Sequence, residues 1–516
     1  MHVWTVDHAL KSVLSMLSQW NEINLKILAK YFGVVVKRGP FLSLAIKTSS
    51  MKYDAIIFAL FCFMLSGCYS YKPPPDITDG DQYTAKTRVD QRCLPIDEKF
   101  LNLETSISIA LANNPNYTST KHSMAAAYAR FYQSLSVFFP TISGNFNANQ
   151  YQYVPMNQGG LGGNTKWRPT YGAVLAGQWV VFNGLMDTMN MLAARYSAKQ
   201  TESLNRDSRR LLIQSIILTY NQVLLNRAQM RIAEADEMFE QQMVDDTQLK
   251  YDAGAASLSD LLNFKILKNN ATDNVITSRL NYDTFRFMLA ELMGLTTGEI
   301  PDDVQFPELD IGKDMEFSLG VEFYLDLALS QRPDLQSFRE SLEANKYLLY
   351  SSWGSFLPNV ILNMNYGYSR TDQQENYPVG SARPRSMDLL YNYGMNVNWL
   401  LFDGGSRWAQ VRQSQANVAI SEEQLADKWI TVVTEVRQAH AKLVANIAEA
   451  KILGDTLDMT KKQRDLVREE YNAGNTSITR LNEAQRDLIL AQLNHISALI
   501  DIENAKAQID AACGSR

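Results

Sequence analysis

The chain has 516 residues and a formal net charge of −6, a balance that argues against nucleic acid as a partner. Hydrophobic residues make up 46% of it, and no run approaches the roughly 18 consecutive apolar residues that a spanning helix needs. These properties exclude a helical membrane bundle, although half-apolar membrane strands would escape such a scan.

The N-terminal part carries a targeting pattern. Residues 1–50 match nothing elsewhere in the chain, whereas Met51 begins a short basic region and an apolar run that closes with Leu65-Ser66-Gly67-Cys68. This is the layout of a signal peptide, and the tetrapeptide resembles the bacterial lipobox, whose cysteine is lipidated after cleavage in front of it. A buried core helix is the alternative, and it fits poorly beside the proline-rich stretch that follows.

We therefore predict that Met51 is the true start and that residues 1–50 are an upstream extension. Residues 51–67 form the signal peptide, and residues 68–102 form a linker that carries covalent lipid on Cys68. The resemblance to such lipoproteins implies release towards the outer membrane, because the residue after the cysteine is Tyr69 and not an aspartate.

Two thiols, Cys93 and Cys513, remain in the predicted mature chain. An oxidising periplasm would allow them to pair, although spacing alone does not show that they are close. The five histidines are scattered, so the sequence predicts no metal site and no cofactor besides the lipid.

Behind the linker, helical and extended patterns alternate. Prolines end the first two helices, period-two alternation marks strands, and apolar residues at helical spacing mark a long helix and its return. The predicted elements of the first half are helices 103–113 and 116–138, strands 142–153 and 171–182, a long helix 185–250, a turn at Gly254, and a return helix 258–293.

The second half repeats this order, and its last strand, Tyr391 to Leu401, has the clearest pattern. Tyrosine, methionine, valine, tryptophan and leucine occupy one face, while Asn392, Gly394, Asn396 and Asn398 occupy the other. A soluble sandwich or a membrane strand would fit this alternation. A helix of about sixty residues follows, turns at Gly474 and returns to residue 512.

Matched landmarks in the same order indicate a duplicated unit. The proposed repeats are 103–295 and 321–513, joined by the Pro/Asp-rich segment 296–320. The matched pairs are Asn114-Pro115 with Arg332-Pro333, Phe138-Phe139-Pro140 with Phe356-Leu357-Pro358, Trp179-x-x-Phe182-x-Gly184 with Trp399-x-x-Phe402-x-Gly404, and Tyr251-x-Ala-Gly254 with Tyr471-x-Ala-Gly474.

The lengths of the predicted helices and strands limit how the chain can assemble. Helices of 60 to 65 residues would be on the order of 90–100 Å long, so they must pack side by side as hairpins. Four strands of about 11 residues match the thickness of a bilayer, but four strands are too few to close a barrel. The barrel must be shared between chains, with eight strands from two copies or twelve from three.

These motifs resemble the TolC-like outer-membrane efflux proteins, in the branch that carries a lipobox. The resemblance implies a mainly α-helical chain whose four transmembrane strands contribute to a trimeric twelve-stranded barrel above a long periplasmic helical barrel. It also implies a passive exit duct in the outer membrane, with a periplasmic adaptor and an inner-membrane transporter as partners.

The same family closes its tunnel at the hairpin tips with acidic and hydrogen-bonding residues. By position, the gate residues here would be Asp260, Tyr471 and Glu483, together with Arg480, which departs from the family pattern. Arg480 could pair with Asp260 or Glu483 across a closed tip; ordinary solvated helix charges are the alternative.

The amide face of the strands suits a water-filled lumen, and the predicted lumen-facing residues are Asn145, Asn363, Asn365, Asn396 and Asn398. Aromatic residues at the strand ends, among them Trp179, Trp399, Tyr171 and Tyr391, could form interfacial girdles or belong to an ordinary core. No catalytic motif is recognisable, so the alternative to a duct is a coiled-coil lipoprotein without a pore. The residues do not identify the exported substrate.

Overall fold

The computed structural model describes residues 100–153, 166–307, 320–372 and 385–514, all within the unit Lys86–Arg516. The predicted extension, signal peptide, lipid-bearing Cys68, Cys93 and most of the linker lie outside the described residues. The same holds for residues 308–319 of the joint between the two halves.

The described elements follow the predicted order in both halves. The first half contains α1 (Leu103–Asn113), α2 (Pro115–Leu135), a 3-10 turn (Ser136–Phe138), β1 (Thr141–Tyr153), β2 (Lys166–Asn183), α3 (Met186–Asp252) and α4 (Leu258–Leu292). The second half contains α5 (Val321–Gln331), α6 (Pro333–Gly354), β3 (Asn359–Asp372), β4 (Arg385–Asn398), α7 (Ser406–Asn472) and α8 (Ile478–Cys513). The duplication seen in the sequence is therefore a duplication of structure.

Short polar side chains start several of the helices. Asn102 accepts a hydrogen bond from the backbone N–H of Thr105 at the start of α1. Asn114 does the same for Tyr117 at the start of α2, where Pro115 takes the first helical position. Both arrangements satisfy N–H groups that have no partner inside the helix.

The helices α3 and α7 are 67 residues each, slightly longer than predicted, which corresponds to about 100 Å. Each is the long arm of an antiparallel hairpin, α3 with α4 and α7 with α8, and α3 also packs against α6 and α8. None of the helices in the described ranges is both long and apolar enough to cross a membrane.

The strands form one antiparallel sheet in the order β1-β2-β3-β4. The prediction that the last strand extends to Leu401 is wrong for the single chain, because β4 ends at Asn398. Asn398 pairs with Asn359, the first residue of β3, and the preceding Pro358 has no N–H with which to continue the ladder. The strand β2 reaches Asn183 because β3 accompanies it through a bulge at Val180/Phe182.

Two glycines hold the strand–helix joins of the two halves together. A Cβ on Gly354 would lie 2.4 Å from the carbonyl oxygen of Gly184, and a Cβ on Gly184 would lie 2.2 Å from the carbonyl oxygen of Gly354. Real Cβ atoms do not approach a backbone oxygen so closely, so the contact requires glycine on both sides. It fixes the end of α6 against the start of α3.

We predict that Gly354→Ala lowers the free energy of unfolding by about 1–3 kcal/mol, since its methyl group meets backbone that has no room to move. The matched control is Gly394→Ala, where a Cβ has nothing within 4 Å. Thermal unfolding of the detergent-purified protein provides the measurement. Equal melting temperatures for Gly354→Ala and the wild type would contradict the close contact.

Candidate functional site: the sheet faces and the helix tips

The register of the sheet brings the five predicted asparagines to one face. Residues directly opposite each other in an antiparallel sheet share a face. The pairings relate odd-numbered residues of β1 and β3 to even-numbered residues of β2 and β4. The resulting polar face contains Asn145, Asn147, Gln178, Asn363, Asn365, Ser369, Asn392, Asn396 and Asn398.

The opposite face is apolar and exposed in the single chain. Phe146 is 85% exposed and Tyr393 is 72% exposed. Other large side chains that share this face and its exposure are Ile142, Tyr171, Leu175, Met364, Tyr366, Tyr368, Leu389, Tyr391, Met395 and Val397. An apolar surface of this extent calls for contact with something other than water.

The outer strands β1 and β4 each have a neighbour on one side only. Their other edges carry rows of backbone N–H and C=O groups that the described sheet does not pair. The strand–helix joins show the same imbalance: Gly184 is packed against Gly354, whereas a Cβ on its counterpart Gly404 would have nothing within 4 Å. The second copy thus lacks a neighbour that the first copy has.

The predicted gate residues lie around the two helix turns. Asp260 belongs to a capping box with Ser257 at the start of α4, where its carboxylate accepts from the backbone N–H of Ser257. Arg480 has Glu483 of the same helix 3.8 Å from its guanidinium, and both side chains are about half exposed. A pair of this kind contributes about 0–1 kcal/mol. A latch across the tip stays a prediction.

Tyr471 contacts the apolar core of the tip, and the Lys250 ammonium lies 5.2 Å from its ring centre. Burial is the main reason that the pKa of Tyr471 is raised. The core itself joins all four long helices through Phe239, Met243, Phe264, Val467, Leu481 and Ala484. Tyr471 is thus a packing residue of the tip within one chain.

A buried ionic cluster lies where the C-terminal end of α8 meets α3, α6 and α7, and no pattern in the sequence predicts it. Arg332 donates to both carboxylate oxygens of Asp334 at 2.9 and 2.5 Å, and Lys428 lies 2.9 Å from the same carboxylate. These cations hold the pKa of Asp334 well below its usual range despite burial. Arg210 and Arg332 also donate to the carbonyl groups of Ala511 and Ala512.

These contacts satisfy the last carbonyl groups of α8 with charged donors. Within the described ranges no group of potential metal ligands is present. The nearby thiol of Cys513 is buried and donates to the carbonyl oxygen of Tyr324 at 3.6 Å. Its pairing with Cys93 stays a prediction, because Cys93 lies outside the described residues.

Comparison with known proteins bears on both repeats. The profile of the outer membrane efflux protein family matches residues 106–295 and 324–515, which are nearly the two structural repeats. Among curated proteins, the chain is 24% identical to the alkaline protease secretion protein AprF of Pseudomonas aeruginosa, over 59% of this chain and 60% of that protein. It is 22% identical to the outer membrane protein TolC of Escherichia coli, over 51% of this chain and 54% of TolC.

The solvent efflux pump outer membrane protein SrpC of Pseudomonas putida is 22% identical over 90% of this chain and 98% of its own length. Solved structures show the same fold. CusC matches with a TM-score of 0.68 at 17% identity, over 81% of this chain and 93% of its own. The Campylobacter jejuni CmeC outer membrane channel matches with a TM-score of 0.67 at 17% identity, over 83% and 91%. The chain belongs to the outer membrane efflux protein family.

Proposed function

We propose that three copies of this chain form the exit duct of a tripartite efflux pump or type I secretion system in the outer membrane. A periplasmic adaptor and an inner-membrane transporter are its proposed partners. The role is passage of a substrate and not its chemical conversion. A relative named for protein secretion and another named for solvent efflux fit a wide polar duct that passes what the transporter delivers.

The observation that carries the proposal is the pair of open sheet edges. Gln178 of β2 pairs with Asn363 of β3 inside one chain. In the repeat, Asn398 stands at the position of Gln178, and Asn145 stands at the position of Asn363. The same pairing between neighbouring chains would join β4 of one to β1 of the next. Unpaired backbone groups are not tolerated in lipid, so the ring must close.

The helices support the same arrangement. Inside the chain α3 packs against α6 and α8, whereas its counterpart α7 makes no comparable contact with α2 or α4. Both α7 and α4 expose rows of apolar side chains that such a contact between chains would cover. These are Trp408, Ile430, Val444, Ile452, Met459 and Leu466 on α7, and Leu262, Ile266, Ile276, Leu280 and Phe287 on α4.

Closure of the sheets of three chains into a barrel would also place the two faces of each sheet in different surroundings. The apolar face meets lipid and the amide face lines water, since the two faces alternate along every strand. The indole N–H groups of Trp179 and Trp399 donate to the carbonyl oxygens of Phe138 and Phe356 at 3.1 and 3.0 Å. Both tryptophans would lie at the helical end of the barrel, a position that suits interfacial aromatics.

Cross-linking tests the proposed pairing between chains. We expect Asn145→Cys combined with Asn398→Cys to form disulfides between chains, because directly opposed Cβ atoms lie within about 5.5 Å. Non-reducing gels should then show covalent dimers and trimers, and reductant should remove them.

The matched control is Asn145→Cys with Asn392→Cys, which moves the second thiol six residues, or about 20 Å, along β4. It should stay monomeric on the same gels. Cross-linking in both pairs, or in neither, would contradict the register. Conductance of the reduced protein in planar bilayers separates a duct from a coiled-coil lipoprotein that has no pore.

If the helix tips act as a gate, Asp260→Ala should raise single-channel conductance, because an acidic group that helps to hold the tip closed is lost. The same change also removes half of a capping box, which costs about 1 kcal/mol. Ser257→Ala removes the other half without changing the charge and serves as the control. Equal conductance increases in both variants would show that the helix cap, and not the acidic group, is responsible.

We also propose that the mature chain is anchored by lipid on Cys68. Intact-mass analysis of the purified protein should find a chain that begins at an acylated Cys68, and Cys68→Ala should remove the acyl mass. A mature chain that begins at any other residue would exclude this anchor.

A further inference from the structure

A buried acidic side chain lies in the packed helices near the tip. Glu240 of α3 is 5% exposed, and its Oε2 atom has no hydrogen-bond partner among the described residues. It lies twelve residues before the end of α3, which is about 18 Å from the turn. The buried neighbours Phe239 and Met243 belong to the apolar core that joins the four long helices.

The groups around Glu240 do not neutralise a carboxylate. Asp236, one turn earlier on the same face of α3, accepts from the Gln485 amide of α8 at 2.9 Å. The Gln485 carbonyl oxygen is itself buried without a partner in the described chain. The charged group that influences Glu240 is thus a second carboxyl group, Asp236, and the buried Oε2 atom of Glu240 has no donor in the part of the chain that the structure describes.

In the described part of the chain no cation forms an ion pair with Glu240, and Arg464 of α7 pairs with Asp465. The guanidinium groups of Arg464 and Arg468 of α7 lie 6.0 and 5.6 Å from the ring centre of Phe239, and α4 contributes the apolar Phe264 and Leu267 to the core. Burial first and the charge of Asp236 second raise the pKa of Glu240 to about 7, and neither these arginines nor Lys268 of α4 is among the causes.

The fold does not require carboxyl groups here, as the other repeat shows. The counterparts of Asp236 and Glu240 are Thr456 and Thr460 of α7. Both hydroxyl groups donate to carbonyl groups of their own helix, at 2.8 and 2.7 Å. A residue whose polar group forms a hydrogen bond within its own helix is therefore sufficient at this level of the hairpin. Burial of the Glu240 carboxyl group costs desolvation free energy that the second repeat avoids, and this points to a functional role for the acid.

We propose that Glu240 is a proton-binding site that couples the packing of the helix tip to pH. The protonated acid lies in the closed packing, and loosening of the tip admits water and releases the proton. The proposal depends on contacts inside one chain and does not depend on the proposed duct. Protonation stabilises the packed tip fully below the exposed pKa of 4.5, and this contribution is lost as pH rises through about 7.

These two pKa values set the size of the effect. The ratio of loosened to packed tips should rise about 70-fold between pH 5 and pH 8 and change little beyond that. Hydrogen exchange of the full chain, corrected for the intrinsic pH dependence of amide exchange, should show this loss of protection in residues 232–252 and 478–490. The infrared absorption of a protonated carboxylic acid should be present at pH 5.5 and absent from Glu240→Gln.

Glu240→Gln removes this titrating group at constant size, so the rise of about 70-fold that Glu240 causes should be absent. Glu240→Thr, which copies the other repeat, should behave in the same way and covers the case in which the glutamine variant folds poorly. The matched control Glu234→Gln changes an exposed acid on the same helix and should keep the wild-type profile. An ionised Glu240 at pH 5.5, or the wild-type profile in both Glu240 variants, would overturn the proposal.

Discussion

The pairing of backbone hydrogen-bonding groups is the constraint on which the rest of this structure depends. Four strands make a sheet with two open edges, and a sheet whose outer face is apolar cannot present such edges to lipid. The duplication offers a solution, because the pairing of β2 with β3 inside the chain is the template for the pairing that we propose between β4 of one chain and β1 of the next. The end of β4 at Asn398 fits this view, since its counterpart β2 continues only where β3 is beside it.

The same logic extends from the strands to the helices. Most of the stability of helices such as these, which are 67 residues long, comes from the neighbours that cover their apolar rows. In one chain α3 has a more complete set of neighbours than α7. The two copies of the unit therefore differ in how completely their helices are covered, and the proposed trimer would supply the neighbours that α7 lacks.

Carboxyl groups are buried at two levels of the helices, and their pKa values are shifted in opposite directions. Near the end of α8, the carboxylate of Asp334 has cations beside it that hold its pKa low, so the cluster fastens the ends of helices. Near the tip, Glu240 has an acid beside it and its pKa is raised. The first arrangement resists change between pH 5 and pH 8, while the second changes its protonation within that range.

The sequence by itself determined the order of the elements, the duplication and the two faces of the strands. Alternation in strands and the landmarks around Gly184 and Gly404 are local properties. They can be recognised without knowledge of the packing. Parity separates the two faces within each strand, whereas the register between the strands places the five asparagines on the same face of the sheet.

Only the tertiary structure decided which side chains become neighbours across large separations. Arg332 with Ala512, Asp236 with Gln485, and Gly184 with Gly354 are brought together by the crossing of helices, and periodicity in one segment does not contain that information. The end of β4 is of the same kind, because a strand ends where its partner ends. The proximity of Arg480 to Glu483 is by contrast a local property, because residues three apart on a helix are close wherever that helix packs.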